Sequence, residues 1–151
     1  MKPKFLFLCT GNSARSQMGE AFLRAYAGDH FDVFSAGINP KNEIHPLVRT
    51  AMQEIGLTME GQTPKNVSEY LGKFVFAYTV SVCGNAEEQC PRIFLNMGQH
   101  MYWPFDDPAA LEGSEDERLA RVRIIRDQIS AKIKTWLREQ GLEPTDFHQG
   151  L

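Results

Sequence analysis

At 151 residues, with 42% hydrophobic and 23% charged side chains, the chain is long enough to bury one core without disulfides, and its composition is neither disordered nor fibrous. A formal net charge of -3, with no Lys/Arg cluster beyond a solvated helix face, argues against a nucleic-acid partner and leaves any small anion to be attracted by local groups. Three cysteines, an odd number, argue against a permanent disulfide framework and leave catalytic, redox or inert buried thiols.

Met1-Lys2-Pro3-Lys4 leads into a four-residue apolar run, too short for a signal-peptide core or a membrane span, so a cytoplasmic protein is expected. Phe5-Leu6-Phe7-Leu8 suits a strand buried on both faces. A helix follows from about Ala14 to Ala27, with Met18, Ala21, Phe22 and Ala25 at helical spacing and Gly28-Asp29 as its stop. Phe31 to Ser35 reads as a second strand and Ala36 to Pro40 as a loop. Pro46 opens a helix to about Ile55, ended by Gly56. His45, just before it, reads as a solvated loop residue. Asn66 or Ser68 caps a short helix through Leu71, and Phe74 to Val80 is a third strand rich in β-favouring residues. Ile93 to Asn96 is the fourth strand, and Gly98 to Ala110 a loop. Ser114-Glu115-Asp116-Glu117 has the form of a capping box and starts a long helix, with Leu119, Val122, Ile125, Ile129, Ile133 and Trp136 on one face and Gly141 at its end. The tail from Glu143 to Leu151 reads as a loosely held polar terminus. This alternation predicts one domain over residues 1–151, a three-layer α/β/α fold with a central four-stranded parallel sheet. Ligands of such sheets bind beyond the carboxyl ends of the strands, which Cys9, Cys83 and the Asp107 loop all follow.

The densest chemistry lies in Cys9-Thr10-Gly11-Asn12-Ser13-Ala14-Arg15-Ser16, between the first strand and the first helix. Gly11 and Asn12 tolerate tight-turn backbone angles, so successive N–H groups can face one point, with the helix N-terminus aimed at the same place. That is a cradle for an oxyanion. Cys9 at its floor is expected to be favoured as the thiolate by the dipole, the N–H groups and Arg15. Cys-x5-Arg alone is a weak signal; its strand–turn–helix setting gives it force. For Asn12, Ser13 and Ser16, turn chemistry and direct substrate contact both stay open. Six residues separate Cys83 from Cys90, which fits neither a two-residue redox motif nor a zinc set.

Taken with Ser35-Ala36-Gly37, Val82-Cys83-Gly84-Asn85 continuing to Cys90-Pro91, and Trp103-Pro104-Phe105-Asp106-Asp107-Pro108, the Cys9 loop resembles that of arsenate reductases built on the low-molecular-weight protein tyrosine phosphatase fold, of the kind usually reduced by thioredoxin. The similarity extends over nearly the whole chain. It implies that arsenate, with phosphate or sulfate as analogues, is held by the loop from Thr10 to Ser16 (Thr10, Gly11, Asn12, Ser13, Ala14, Arg15 and Ser16), with Arg15 bidentate. Cys9 is then the nucleophile, and Asp107, directly before proline, the general acid in preference to Asp106. Cys83 attacks the arsenic-bearing Cys9, and Cys90 then takes over the disulfide. Because a disulfide needs Cα atoms within about 7 Å, the segment between Cys83 and Cys90 must rearrange.

The resemblance implies no tightly bound cofactor but an external thiol reductant, thioredoxin or a glutaredoxin with glutathione, and the chain is read as a monomer. Some members hold potassium with an acidic side chain in the stretch matching Thr63-Pro64-Lys65-Asn66; Lys65 and Asn66 stand here, which speaks against a potassium requirement. Ala109 and Ala110 replace the aromatics that flank aryl substrates in the phosphatases, and Ala14 stands where those usually carry a second cysteine. Phosphoester hydrolysis by Cys9, Arg15 and Asp107 is the first rival reading. A non-catalytic redox-sensing, anion-binding module is the second, though binding alone would not need the acid.

Overall fold

The computed structural model describes residues 1–70, 72–84 and 98–146. Lys4–Cys9 forms β1, an inner strand whose Phe5, Leu6, Phe7 and Leu8 are fully buried. A strand covered on both faces has no use for polar residues, which is why this run does not alternate. On one side β1 pairs in parallel with β2 (Asp32–Gly37), on the other with β3 (Tyr78–Ser81), and β4 (Gln99–Tyr102) extends the sheet beyond β3, in the order β2-β1-β3-β4. All four strands run the same way, so Cys9, Gly37, Ser81 and Tyr102 end along one edge.

Helices flank the sheet. α1 (Arg15–Ala27) lies across β1 so closely that a Cβ on Gly19 would come within 2.7 Å of the Phe7 ring. α3 (Glu115–Glu139) packs on α1 and on α2 (Pro46–Gln53) through Val122, Ile125, Ile129 and Ile133, and places Trp136 edge-on to Phe5 with ring centroids 5.2 Å apart. Each buried aliphatic or aromatic side chain of this layer is worth roughly 1.5–3 kcal/mol in transfer free energy. The capping box of α3 forms as its sequence predicts: the Glu117 N–H donates to Ser114 Oγ at 3.1 Å, and the Ser114 N–H to Glu117 Oε1 at 3.4 Å. Gly56 (φ +86°) follows α2 and Gly141 (φ +80°) follows α3, at the positions expected for helix stops. On the opposite face of the sheet Phe34, Tyr70, Phe74 and Phe76 form an aromatic cluster.

Three expectations shift. β3 begins at Tyr78 rather than Phe74, because the N–H groups of Lys73 and Phe74 are used in a turn onto the Tyr70 carbonyl. Phe74 and Phe76 supply rings to the cluster rather than rungs to the ladder. The segment read as a loop from Gly98 holds β4: its Gln-His-Met-Tyr composition lacks an apolar run because it lies at the edge of the sheet, with Gln99 and Tyr102 exposed and His100 and Met101 partly buried. Gly98 opens it at φ +150°, where a Cβ would lie 2.4 Å from the Ala77 oxygen. The expected strand from Ile93 to Asn96 lies outside the described residues. At the start of the tail, the Thr145 N–H donates to the Tyr26 carbonyl at 2.9 Å and ties the chain to α1. Among the described residues no helix is long and apolar enough to cross a membrane.

Candidate active site

The loop between β1 and α1 is held from outside by the strap that follows β2. The carbonyls of Cys9, Thr10, Gly11 and Ser13 accept the N–H groups of Ile38 (3.1 Å), Asn39 (2.8 Å), Lys41 (2.9 Å) and His45 (2.8 Å). Within a trans peptide the C=O and the next N–H point in opposite directions. Pinning these carbonyls to the strap therefore turns the following N–H groups toward the cavity, where an oxyanion can accept from them. Gly37 makes the approach possible, since a Cβ there would meet Thr10 O at 2.6 Å and Asn12 Cβ at 3.0 Å. The converging N–H groups were expected from the sequence, but the strap that holds them was not, because backbone donors carry no residue signature.

Asn12 alone among the loop residues takes a left-handed backbone, at φ +48°. Its fully buried amide is spent on support: Nδ2 donates to Ser16 Oγ (2.8 Å) and Ser35 Oγ (3.0 Å), while Oδ1 accepts from Gln17 Nε2 (3.1 Å) and the Lys65 N–H (2.9 Å). These bonds commit the Asn12 side chain to holding the loop's shape and give Ser16 Oγ one supporting contact. The network continues outward. Gln17 Nε2 also donates to the Asn12 and Thr63 carbonyls, both at 3.0 Å, Gln62 Nε2 donates to Gln17 Oε1 at 2.8 Å, and Ser35 Oγ donates to Glu20 Oε1 at 2.6 Å. The buried Glu20 carboxylate is balanced by Arg24 Nη2 at 2.6 Å and faces Lys65 Nζ at 3.9 Å. Sequence reading missed Gln17, Glu20 and Gln62; the available signal was polar residues on helix positions that the fold buries.

Gly11 keeps an ordinary backbone, and its lack of a side chain serves another purpose. The Lys41 stem lies against it, so that a Cβ there would be 3.3 Å from Lys41 Cγ. His45 is half-buried rather than solvated. It caps α2, with Nδ1 accepting from the Leu47 N–H at 3.1 Å, and burial together with the Lys41 and Arg118 charges lowers its pKa against the pull of Asp107.

Inside a cavity of about 400 Å³ the structure brings together Cys9, the loop from Thr10 to Arg15, Cys83 and Asp107. Arg15 is almost wholly buried. Its Nη1 donates to the Phe105 carbonyl at 2.8 Å, Nη2 lies 3.6 Å from Asp107 Oδ1, and Nε is buried without a hydrogen-bond partner among the described residues. A guanidinium held by one nitrogen, with an unpaired Nε next to a loosely paired Nη2, keeps an edge for a two-point contact with a tetrahedral anion. Asp107 begins the 3-10 turn Pro108–Ala110 and accepts from the Ala109 N–H at 3.0 Å, which fixes its carboxyl over Arg15. Cys90 lies outside the described residues.

Cys9 Sγ lies 3.4 Å from Cys83 Sγ, and Thr10 Oγ1 lies 3.4 Å from the same sulfur. The expected preference for thiolate is not met in this arrangement. The adjacent Cys83 thiol and burial push the Cys9 pKa well above that of an ordinary thiol, outweighing Arg15 and the Thr10 N–H, which pull it down. A testable consequence follows for Cys83→Ala. Losing the largest upward influence lowers the pKa of Cys9 and raises its thiolate fraction at neutral pH. Alkylation of Cys9 by iodoacetamide, followed against pH by peptide mass spectrometry, should then speed up at pH 7 with its midpoint moved to lower pH. An unchanged or higher midpoint would remove Cys83 as the cause.

An arsenate reductase of Halalkalibacterium halodurans is 41% identical over 135 residues, covering 89% of this chain and 95% of that protein. Among solved structures, an arsenate reductase in a phosphate-binding state superposes with a TM-score of 0.74 at 25% identity, over 92% of this chain and 98% of the other. A thioredoxin-dependent arsenate reductase of Corynebacterium glutamicum superposes with a TM-score of 0.61 at 27% identity, over 89% of this chain and 63% of that one. The sequence pattern of the low molecular weight phosphotyrosine protein phosphatases matches residues 4–144. This match over nearly the whole chain, on a four-stranded parallel sheet flanked by helices, shows that the chain belongs to the low molecular weight phosphotyrosine protein phosphatase family.

Proposed function

We infer that the chain is an enzyme that reduces arsenate to arsenite. The observation that carries this reading is the second thiol, Cys83, standing 3.4 Å from the loop cysteine: ester hydrolysis needs one thiol, whereas passing two electrons to an oxyanion needs two. Arsenate sits on the loop N–H groups and the Arg15 edge, and Cys9, a thiol in the resting site, gives its proton to an oxygen of the bound dianion and attacks arsenic. A hydroxide-like group leaves as water with a proton from Asp107, giving a Cys9 sulfur–arsenic bond. Cys83 attacks the Cys9 sulfur, the sulfur–arsenic pair of electrons stays on arsenic, and arsenite departs as a Cys9–Cys83 disulfide forms. The sulfurs have to close from 3.4 Å to the bonded distance of about 2.05 Å. Cys90 then attacks Cys83, frees Cys9 and presents a Cys83–Cys90 disulfide to an external dithiol. Thioredoxin is the reductant we favour, supported by the likeness to the Corynebacterium enzyme.

Potassium has no part in this proposal. In the stretch where some relatives carry an acidic residue, Lys65 donates to the Thr63 carbonyl at 2.7 Å and its ammonium stands 3.9 Å from the buried Glu20 carboxylate, so a fixed cation helps neutralise that carboxylate without an added ion.

The test is arsenite production by the reduced protein with thioredoxin, thioredoxin reductase and NADPH, in potassium and in sodium buffers. Sustained arsenite release at equal rates in the two buffers is expected. Rates that collapse in sodium would overturn the role given to Lys65. An absence of arsenite, beside steady hydrolysis of a phenyl phosphate ester, would make the protein a phosphatase in which Cys83 is a bystander.

A further inference from the structure

Lys41 is the one cation besides Arg15 that lines the anion cavity among the described residues. Its placement is built rather than incidental. The Lys41 N–H is bonded to the Gly11 carbonyl at 2.9 Å, and the stem lies along Gly11, where a Cβ would meet Cγ at 3.3 Å, Cε at 3.4 Å and Cδ at 3.5 Å. Gly11 thus leaves a channel that the aliphatic part of the lysine fills, carrying the ammonium to the rim. There the ammonium has no ion-pair partner among the described residues, although Glu43 lines the adjoining cavity with it. Its charge reaches His45, whose proton it disfavours.

The charge balance of the site shows what such a cation is for. A tetrahedral oxyanion of the arsenate or phosphate kind brings up to two negative charges into a protein of net charge -3. Arg15 supplies one positive charge, and part of its field is already answered by Asp107 at 3.6 Å. The loop N–H groups contribute dipoles but no net charge. We propose that Lys41 is a second anion-recognising cation, a specificity-determining residue at the rim that recruits doubly charged oxyanions and holds them over the loop. This role rests on the reading of the Cys9 loop as an oxyanion site. At a separation of one side chain's reach across a solvated rim, one unit charge acting on a dianion changes affinity by roughly three- to tenfold, less as salt rises.

Lys41→Gln keeps the backbone bond and most of the stem while removing the charge, and Lys41→Arg restores the charge. Binding is read in the full-length protein as the concentration of inorganic phosphate that half-protects Cys9 from iodoacetamide, at low and at high sodium chloride. In Lys41→Gln that concentration should rise about three- to tenfold at low salt, converge with wild type at high salt, and return close to wild type in Lys41→Arg. Steady-state arsenate reduction should show the same change in KM, with kcat kept. Equal protection in wild type and Lys41→Gln at low salt would overturn the proposal, as would equal impairment in the Gln and Arg variants, which marks a packing role. If phosphate protects Cys9 in none of the proteins, it is the oxyanion reading of the loop that fails, and the role of Lys41 falls with it.

Discussion

Arg15→Lys is expected to lower kcat/KM for arsenate by about a thousandfold, the upper range for removing a preorganised oxyanion donor. The positive charge is kept, so the loss measures geometry. Arg15 is held by the Phe105 carbonyl on Nη1, and its unpaired Nε and nearby Nη2 form a planar two-donor edge that an ammonium cannot reproduce. A lysine would also leave the Phe105 carbonyl and the Asp107 carboxylate to share a single point charge. Steady-state kinetics, with phosphate protection of Cys9 in parallel, checks this. Activity within a few-fold of wild type would show that only charge matters at this position, contrary to the fork recognition argued above.

Cys83→Ser is expected to abolish turnover while leaving the first step possible. Its sulfur is the group 3.4 Å from Cys9, so the arsenic-bearing Cys9 has no resolving thiol at hand and the cycle stops with arsenic still bound. Coupled assays should read background, and a phosphate-ester assay should persist, since ester hydrolysis needs Cys9 and no second thiol. Continued arsenite production by Cys83→Ser with thioredoxin would mean that the external dithiol attacks the Cys9 adduct directly, and the relay would have to be abandoned.

How far the chain could be read in advance follows from where each signal resides. β1 and α3 were legible because a fully buried strand and a capped amphipathic helix leave apolar patterns in their own residues. β4 was not, since a sheet-edge strand with Gln99 and His100 exposes too much of itself to need an apolar run. The start of β3 was misplaced because Phe74 and Phe76 suit a strand and an aromatic cluster equally well, and only the turn onto Tyr70 decides between them. The same division holds at the site. Cys9, Arg15, Cys83 and Asp107 are chemically conspicuous, and the fold gathers them into one cavity. The strap from Ile38 to His45 acts through backbone N–H groups that any residue but proline could offer. Asn12 stayed open between shaping and substrate contact, because its partners Gln17, Ser35 and Lys65 are 5, 23 and 53 residues away and meet it only once the chain has folded. The elevated Cys9 pKa was hidden for the same reason: the cause is a second buried thiol, distant in sequence, pressed against the first.

The most direct measurement is a single turnover with no external reductant. The fully reduced protein is mixed with excess arsenate, arsenite is quantified, and the thiols are mapped by mass spectrometry after acid quenching. The account predicts arsenite in amounts equal to the protein, with two thiols lost as a disulfide that includes Cys83. Arsenate left unreduced, with Cys9, Cys83 and Cys90 all still free, would contradict it.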